Sequence, residues 1–137
     1  MAFNGNFLCT SFKVEILKGV HNFTAASNQF KLALYDNSAT FTAATTAYTS
    51  TNEISGTNYT AKGNFLTSVT PVASSTTALT DFADEVFSTV TISAVRGALI
   101  FNEAATSDPT VCVLDFGADK AASSGDFTIV FPTADAS

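Results

Sequence analysis

The chain has 137 residues, of which 46% are hydrophobic and only 13% charged, and its formal net charge is −6. A single domain of this length can bury a real core without disulfide or metal staples, yet its charged share is about half the ~25% of an ordinary soluble domain. The basic residues Lys13, Lys18, Lys31, Lys62, Arg96 and Lys120 are scattered, so there is no footprint for phosphates and nucleic-acid binding is excluded as a main role.

Thr, Ala and Ser replace the missing charges, so the surface is built from hydroxyls and methyls. No stretch reaches the ~20 consecutive apolar residues of a membrane helix. The start, from Met1 to Thr10, lacks the basic region and long apolar core of a signal peptide. A soluble product of a cytoplasm is therefore expected. Cys9 and Cys112 lie far apart and form no CxxC pair. They read as small buried hydrophobes, with a disulfide or metal ligation as the lesser readings.

In chain order, Leu8, Phe12 and Ile16 are spaced four apart, with Cys9 on the same stripe, which predicts a short helix ending at Gly19. From Phe30 the period changes to two. Phe30–Tyr35 alternates and stops at the turn Asp36-Asn37-Ser38. Residues 39–52, rich in Thr, Ala and Ser, look too polar and small-sided to fill a core and read as a long surface loop. Tyr59–Lys62 and Asn64–Val69 read as strand around a bulge at Gly63, and Pro71–Thr77 as a connection.

Strands are next predicted over Ala78–Ala83 and Val86–Ile92, flanking Asp84-Glu85. Ala94–Phe101 is nearly all apolar, as a central strand covered on both faces would be. Val111–Phe116 and Asp126–Phe131 complete the set, with residues 117–125 as a loop between them. Phe127, Ile129 and Phe131 must share one face. About seven strands, one helix and thirteen Phe without any Trp indicate a mainly β fold. The expected architecture is an antiparallel β-sandwich (jelly-roll-like) with one short N-terminal helix, and residues 1–137 form a single domain.

Candidates for chemistry are few. His21 is the only histidine and follows the helix, where a hydrogen-bonded loop residue is the simpler account than a catalytic base. Asp81, Asp84 and Glu85 could pair for acid–base work or chelate calcium, and Asp115, Asp119 and Asp126 invite the same suggestion. Both groups read more simply as turn residues. No glycine-rich phosphate loop occurs, and the sequons Asn22-Phe23-Thr24 and Asn58-Tyr59-Thr60 mean nothing without export. A lectin site would rest on Tyr35, Tyr48 and Tyr59 alone. The expectation is no enzyme, with no catalytic, cofactor-binding or metal residues and no cofactor. Low charge, many Thr and Ala, and unblunted sheet edges instead indicate contact with other protein.

The run Lys13–Phe23 followed by Phe30–Tyr35 resembles the opening of small proteins encoded by tailed bacteriophages. Arg96–Asn102, Val113–Gly117 and Gly125–Pro132 are similar to the same group, in the same order. The resemblance implies a non-enzymatic virion component made in the bacterial cytoplasm. Among such roles a capsid decoration (cement) protein on the head surface fits best. Its partners would be the major capsid protein and copies of itself, as a dimer or trimer, with no nucleic acid and no membrane. The helix near residues 5–18 and the loop 39–52 are the expected contacts. The alternatives are a tail or head–tail connector protein, or a virion receptor- or glycan-binding module.

Overall fold

The computed structural model describes residues 3–24 and 29–136. Its elements are β1 (Phe7–Leu8), α1 (Thr10–Leu17), β2 (Phe30–Tyr35), β3 (Asn64–Phe65), β4 (Ser68–Ser74), β5 (Thr77–Phe82), β6 (Glu85–Asn102) and β7 (Thr110–Ile129). The mainly β, antiparallel class with one short helix is as expected. Five strands form one sheet in the order β1-β7-β6-β2-β3, while β4 and β5 pair only with each other. The β4–β5 hairpin therefore stands outside the five-stranded sheet, and the sandwich is not closed.

The backbone of the fold is the β6–β7 hairpin, paired from Phe101↔Thr110 at its turn to Glu85↔Ile129 at its open end. Phe87, Val90, Ile92 and Val95 are spaced three, two and three apart, which in a regular strand would scatter them over both faces. Register shifts between Phe87 and Val90 and between Ile92 and Val95 absorb the odd residues. Thr89 and Ala94 take positive φ there (52° and 56°). All four side chains are thereby buried in one cluster.

The upper half of the hairpin is covered on both faces, as its apolar sequence predicts. Leu32, Leu34, Ala98 and Ile100 face a first cluster completed by Phe23, Phe30, Ile54, Leu66, Phe82 and Phe87. Ala33, Tyr35, Leu99, Phe101 and Val113 face a second, closed by Phe3, Cys9, Ala39 and Phe41. Aromatic rings knit each cluster: Phe23 stacks on Phe30 at 4.5 Å and Tyr35 meets Phe41 edge-on at 4.6 Å. Phe127 and Phe131 pack against the first cluster beside buried Ile129, with Thr128 and Val130 exposed, as alternation requires.

Five local expectations are corrected in whole or in part. The helix is shorter than its stripe and buries none of its residues, because Glu15, not Ile16, is turned inward; Leu17 is 88% exposed. Leu8 belongs to β1, and Cys9 is the residue before the helix, buried in the second cluster. Gly19 does end the helix, at φ 73°, with the N–H groups of Gly19 and Val20 bonding the Ile16 and Glu15 carbonyls. Residues 39–52 are a loop as expected, but they also form a lid on the second core, since Ala39 and Phe41 are buried. Tyr59–Lys62 is turn and not strand; Pro71–Thr77 is strand and hairpin turn and not a connection. Residues 117–125 are strand within β7, because bulges let one long strand bend where the glycines suggest a loop.

Gly97 lies where β6 crosses β7, and a Cβ there would overlap the Leu114 carbonyl oxygen and the Phe3 ring. Gly97→Ala is expected to lower the stability measured by urea unfolding by about 3 kcal/mol, the upper end of the usual range for overpacking, because backbone as well as a ring would have to give way. Gly117→Ala, at φ 74° in open space, is the control and should cost only about 1–2 kcal/mol, from backbone strain alone.

Candidate functional site

His21 is brought by the end of α1 into the interior. Its Nε2 lies 2.9 Å from Glu15 Oε2 and its Nδ1 lies 3.3 Å from Asn102 Nδ2. Asn102 Oδ1 already accepts the Ala104 N–H, so Nδ2 donates to Nδ1 and the ring proton sits on Nε2, facing the carboxylate. Phe12 and Phe30 flank the ring at 5.1 and 6.1 Å. Both ring nitrogens are held by structural partners, a carboxylate and an amide. The hydrogen-bonded reading of His21 stands, though the residue is buried and not on a surface loop.

The acidic residues singled out in the sequence are dispersed among backbone tasks. Asp81 accepts the N–H of Phe82, Asp84 that of Phe131 (2.9 Å), and Glu85 is held by Asn64 Nδ2 (2.8 Å). Asp126 accepts the N–H of Thr89, the positive-φ residue of the first bulge. Ser124, another positive-φ residue, gives its N–H to Thr91 Oγ1. An unpaired bulge N–H requires such a partner. Asp115 caps the N–H of Gly117 and, with Asp119, faces Arg96. Among the described residues no three His, Cys, Asp or Glu side chains are gathered to hold a metal.

The residue that sequence reading missed is Glu53. Its Oε2 accepts Tyr48 Oη–H at 2.6 Å, and its Oε1 accepts both Tyr59 Oη–H (2.8 Å) and the Lys62 N–H (2.6 Å). Tyr59 Oη in turn accepts the Leu34 N–H, which ties the network to β2. Lys62 Nζ reaches Asp108 (2.7 Å) and Glu103 (3.4 Å), pinning the β6–β7 turn, and lies over the Tyr48 ring. Tyr35 donates to the Thr49 carbonyl. The three tyrosines of the lectin reading therefore aim their hydroxyls inward. Two tyrosines around a lone Glu in an otherwise uncharged stretch are the one sequence signal that could have marked this network.

Burial holds the Tyr35, Tyr48 and Tyr59 phenols well above their ordinary range, and the Glu53 carboxylate adds to the shift. The thiols are free and sit on opposite faces of the sheet, Cys9 in the second cluster and Cys112 against the first. Burial raises both, Cys112 to about 12. Neither is an activated nucleophile.

What remains as candidate site is surface. The β4–β5 hairpin is an arm: every residue from Val69 to Ala78 is exposed, with Val72 61% accessible. No charge occurs from Gly63 to Thr80. A shallow groove of about 480 Å³ runs along the end of β7, lined by Phe116, Lys120, Asp126, Phe127, Ile129 and Val130. No helix among the described residues is long and apolar enough to cross a membrane.

Glu53→Gln leaves two phenols and a backbone N–H competing for one acceptor oxygen, and should destabilise the protein by about 2–3 kcal/mol in urea unfolding. The raised thiol and phenols bind their protons more tightly folded than unfolded. Their contribution is complete below the ordinary values, about 9 for the thiol and 10 for the phenols, and is lost as pH rises past them. Stability should thus fall steadily above about pH 9, with tyrosinate absorbance appearing only as the chain unfolds.

No protein family, curated protein or solved structure matches this chain.

Proposed function

We propose that the chain is a non-enzymatic structural protein of a tailed-bacteriophage virion. Its role would be that of a capsid decoration (cement) protein that binds the outer head surface. The observation that carries this reading is the β4–β5 arm. A two-stranded hairpin exposed on both faces is marginal in water on its own. One that carries no charge before Asp81 and presents Val69, Val72 and Leu79 is suited to contact with protein. The exposed side of α1, with Val14, Ile16 and Leu17, offers a second apolar patch. Contacts of a few kcal/mol per copy suffice when many copies act on one shell.

The lid 39–52 is a poorer contact candidate than the sequence suggests, because Ala39 and Phe41 are occupied in the second core. The glycan-binding alternative loses its aromatic platform, as Tyr48 and Tyr59 are bonded to Glu53 and Tyr35 is fully buried. A tail or connector role uses the same surface and differs in copy number.

Quantitative mass spectrometry of gradient-purified particles, against the major capsid protein, separates these readings. A shell-covering role predicts copies in the hundreds. A ring at the neck or tail predicts a dozen or so, and absence removes the virion reading. Replacing Thr70–Thr80 by Gly-Gly should leave the thermal transition in place, since β4 and β5 make their contacts mainly with each other. The same change should reduce the copies per particle at least about tenfold.

A further inference from the structure

The arm has two outer edges of unlike chemistry. On β4 the register shifts between Val69 and Val72, and Pro71, which has no N–H, lies in that irregularity. A bulge and a proline are the features that blunt a strand edge. On β5, Thr77–Phe82 contains no proline and no register shift of its own.

The turn fixes which groups of β5 are free. Ser74 pairs with Thr77 across the two-residue turn Ser75-Thr76, where Ser75 takes a φ of 55°. A two-residue hairpin turn is closed by a hydrogen-bonded pair, and such pairs alternate along the ladder. Thr77 and Leu79 therefore bond towards β4, and Ala78 and Thr80 present their N–H and C=O groups outward. Among the described residues no backbone bond from another element reaches them.

We infer that the occupant of this edge is the same edge of a second copy, with β5 pairing antiparallel to β5 about a two-fold axis at Leu79. This register places Ala78 opposite Thr80 of the second copy and Thr80 opposite its Ala78, so all the outward groups of both strands are matched at once. Leu79 meets its own counterpart as a non-hydrogen-bonded pair, where side chains approach most closely. Val72, the partner of Leu79 on β4, extends the contact to a four-residue apolar row across the joined sheet.

Charge favours a second copy at this place. Each chain carries −6, so two copies repel over most of their surfaces. From Gly63 to Thr80 there is no charge to oppose the approach. The nearest carboxylates, the two Asp81, fall at opposite ends of the paired strands, each across from a Thr77 hydroxyl. An isologous contact of this kind closes at two and leaves no further edge to propagate, because the β4 edges outside it are blunted.

This inference rests on the reading of the arm as a contact element and names its first partner. The test is the solution mass of the full-length chain by light scattering and sedimentation. Twice the 14.3 kDa chain mass is expected at about 100 μM. Ala78→Pro removes an outward N–H and no bond of the hairpin, and should weaken association at least about tenfold with an unchanged circular dichroism spectrum. Leu79→Cys should give an interchain disulfide under mild oxidation, as directly opposed Cβ atoms allow. Thr76→Cys, at the turn, and the wild type should give none.

A monomer at that concentration overturns the pairing. So does a dimer that keeps its affinity in Ala78→Pro and fails to cross-link through Leu79→Cys, as pairing along the open edge of β7 would do. A monomeric wild type that is still present on particles removes the pairing alone. A dimer without copies on particles removes the virion reading and leaves the pairing.

Discussion

Everything in this fold hangs on the bends of one hairpin. A flat ladder as long as β6 and β7 would be a two-sided ribbon, with half of its apolar side chains in water. Bulges at Thr89 and Ala94, answered by Gly117 and Ser124 on β7, coil the ribbon so that Phe87, Val90, Ile92 and Val95 line one interior. The same curvature lets Ile129, at the far end of β7, share a cluster with Val111 near its start. The strain of non-glycine residues at positive φ is offset by side chains that catch the freed N–H groups, as Asp126 does for Thr89.

Two polar ties hold the loops to this frame. Glu15, His21 and Asn102 fasten the end of the helix to the end of β6. Glu53 gathers Tyr48, Tyr59 and the Lys62 backbone beside β2. Each group is satisfied by its neighbours, which is how a buried polar cluster adds uniqueness without leaving a reactive atom. The residue types most often found in active sites are here used as fasteners. The surface is left with few charges and much exposed apolar area on the arm and the helix.

That surface explains why an assembly role is the economical proposal. An exposed hairpin has no core of its own, and its strands gain stability only by acquiring a third strand or a surface to lie on. Pro71 and the adjacent bulge protect one edge. Ala78 and Thr80 leave the other open. Protection on one side and availability on the other are the asymmetry on which the proposed pairing rests.

The sequence by itself determined the class and several local facts. Alternation placed β2 at Phe30–Tyr35 and put Phe127, Ile129 and Phe131 on one face; Gly19 marked the helix end; composition foretold a surface poor in charge. These are legible because each depends on neighbours a few residues away. The structure decided what depends on distant ones. The three-two-three spacing of Phe87, Val90, Ile92 and Val95 looks like broken strands until β7 supplies the bulge partners. Residues 39–52 look like solvent loop until the second face of the sheet demands Phe41 as cover. Glu53 is marked only by the two tyrosines around it, five and six residues away, and their phenols converge on it only when β2 fixes the chain between them. A one-residue change of register exchanges the faces of a strand, so pairing, which is non-local, settles which side chains become core and which edge is left open.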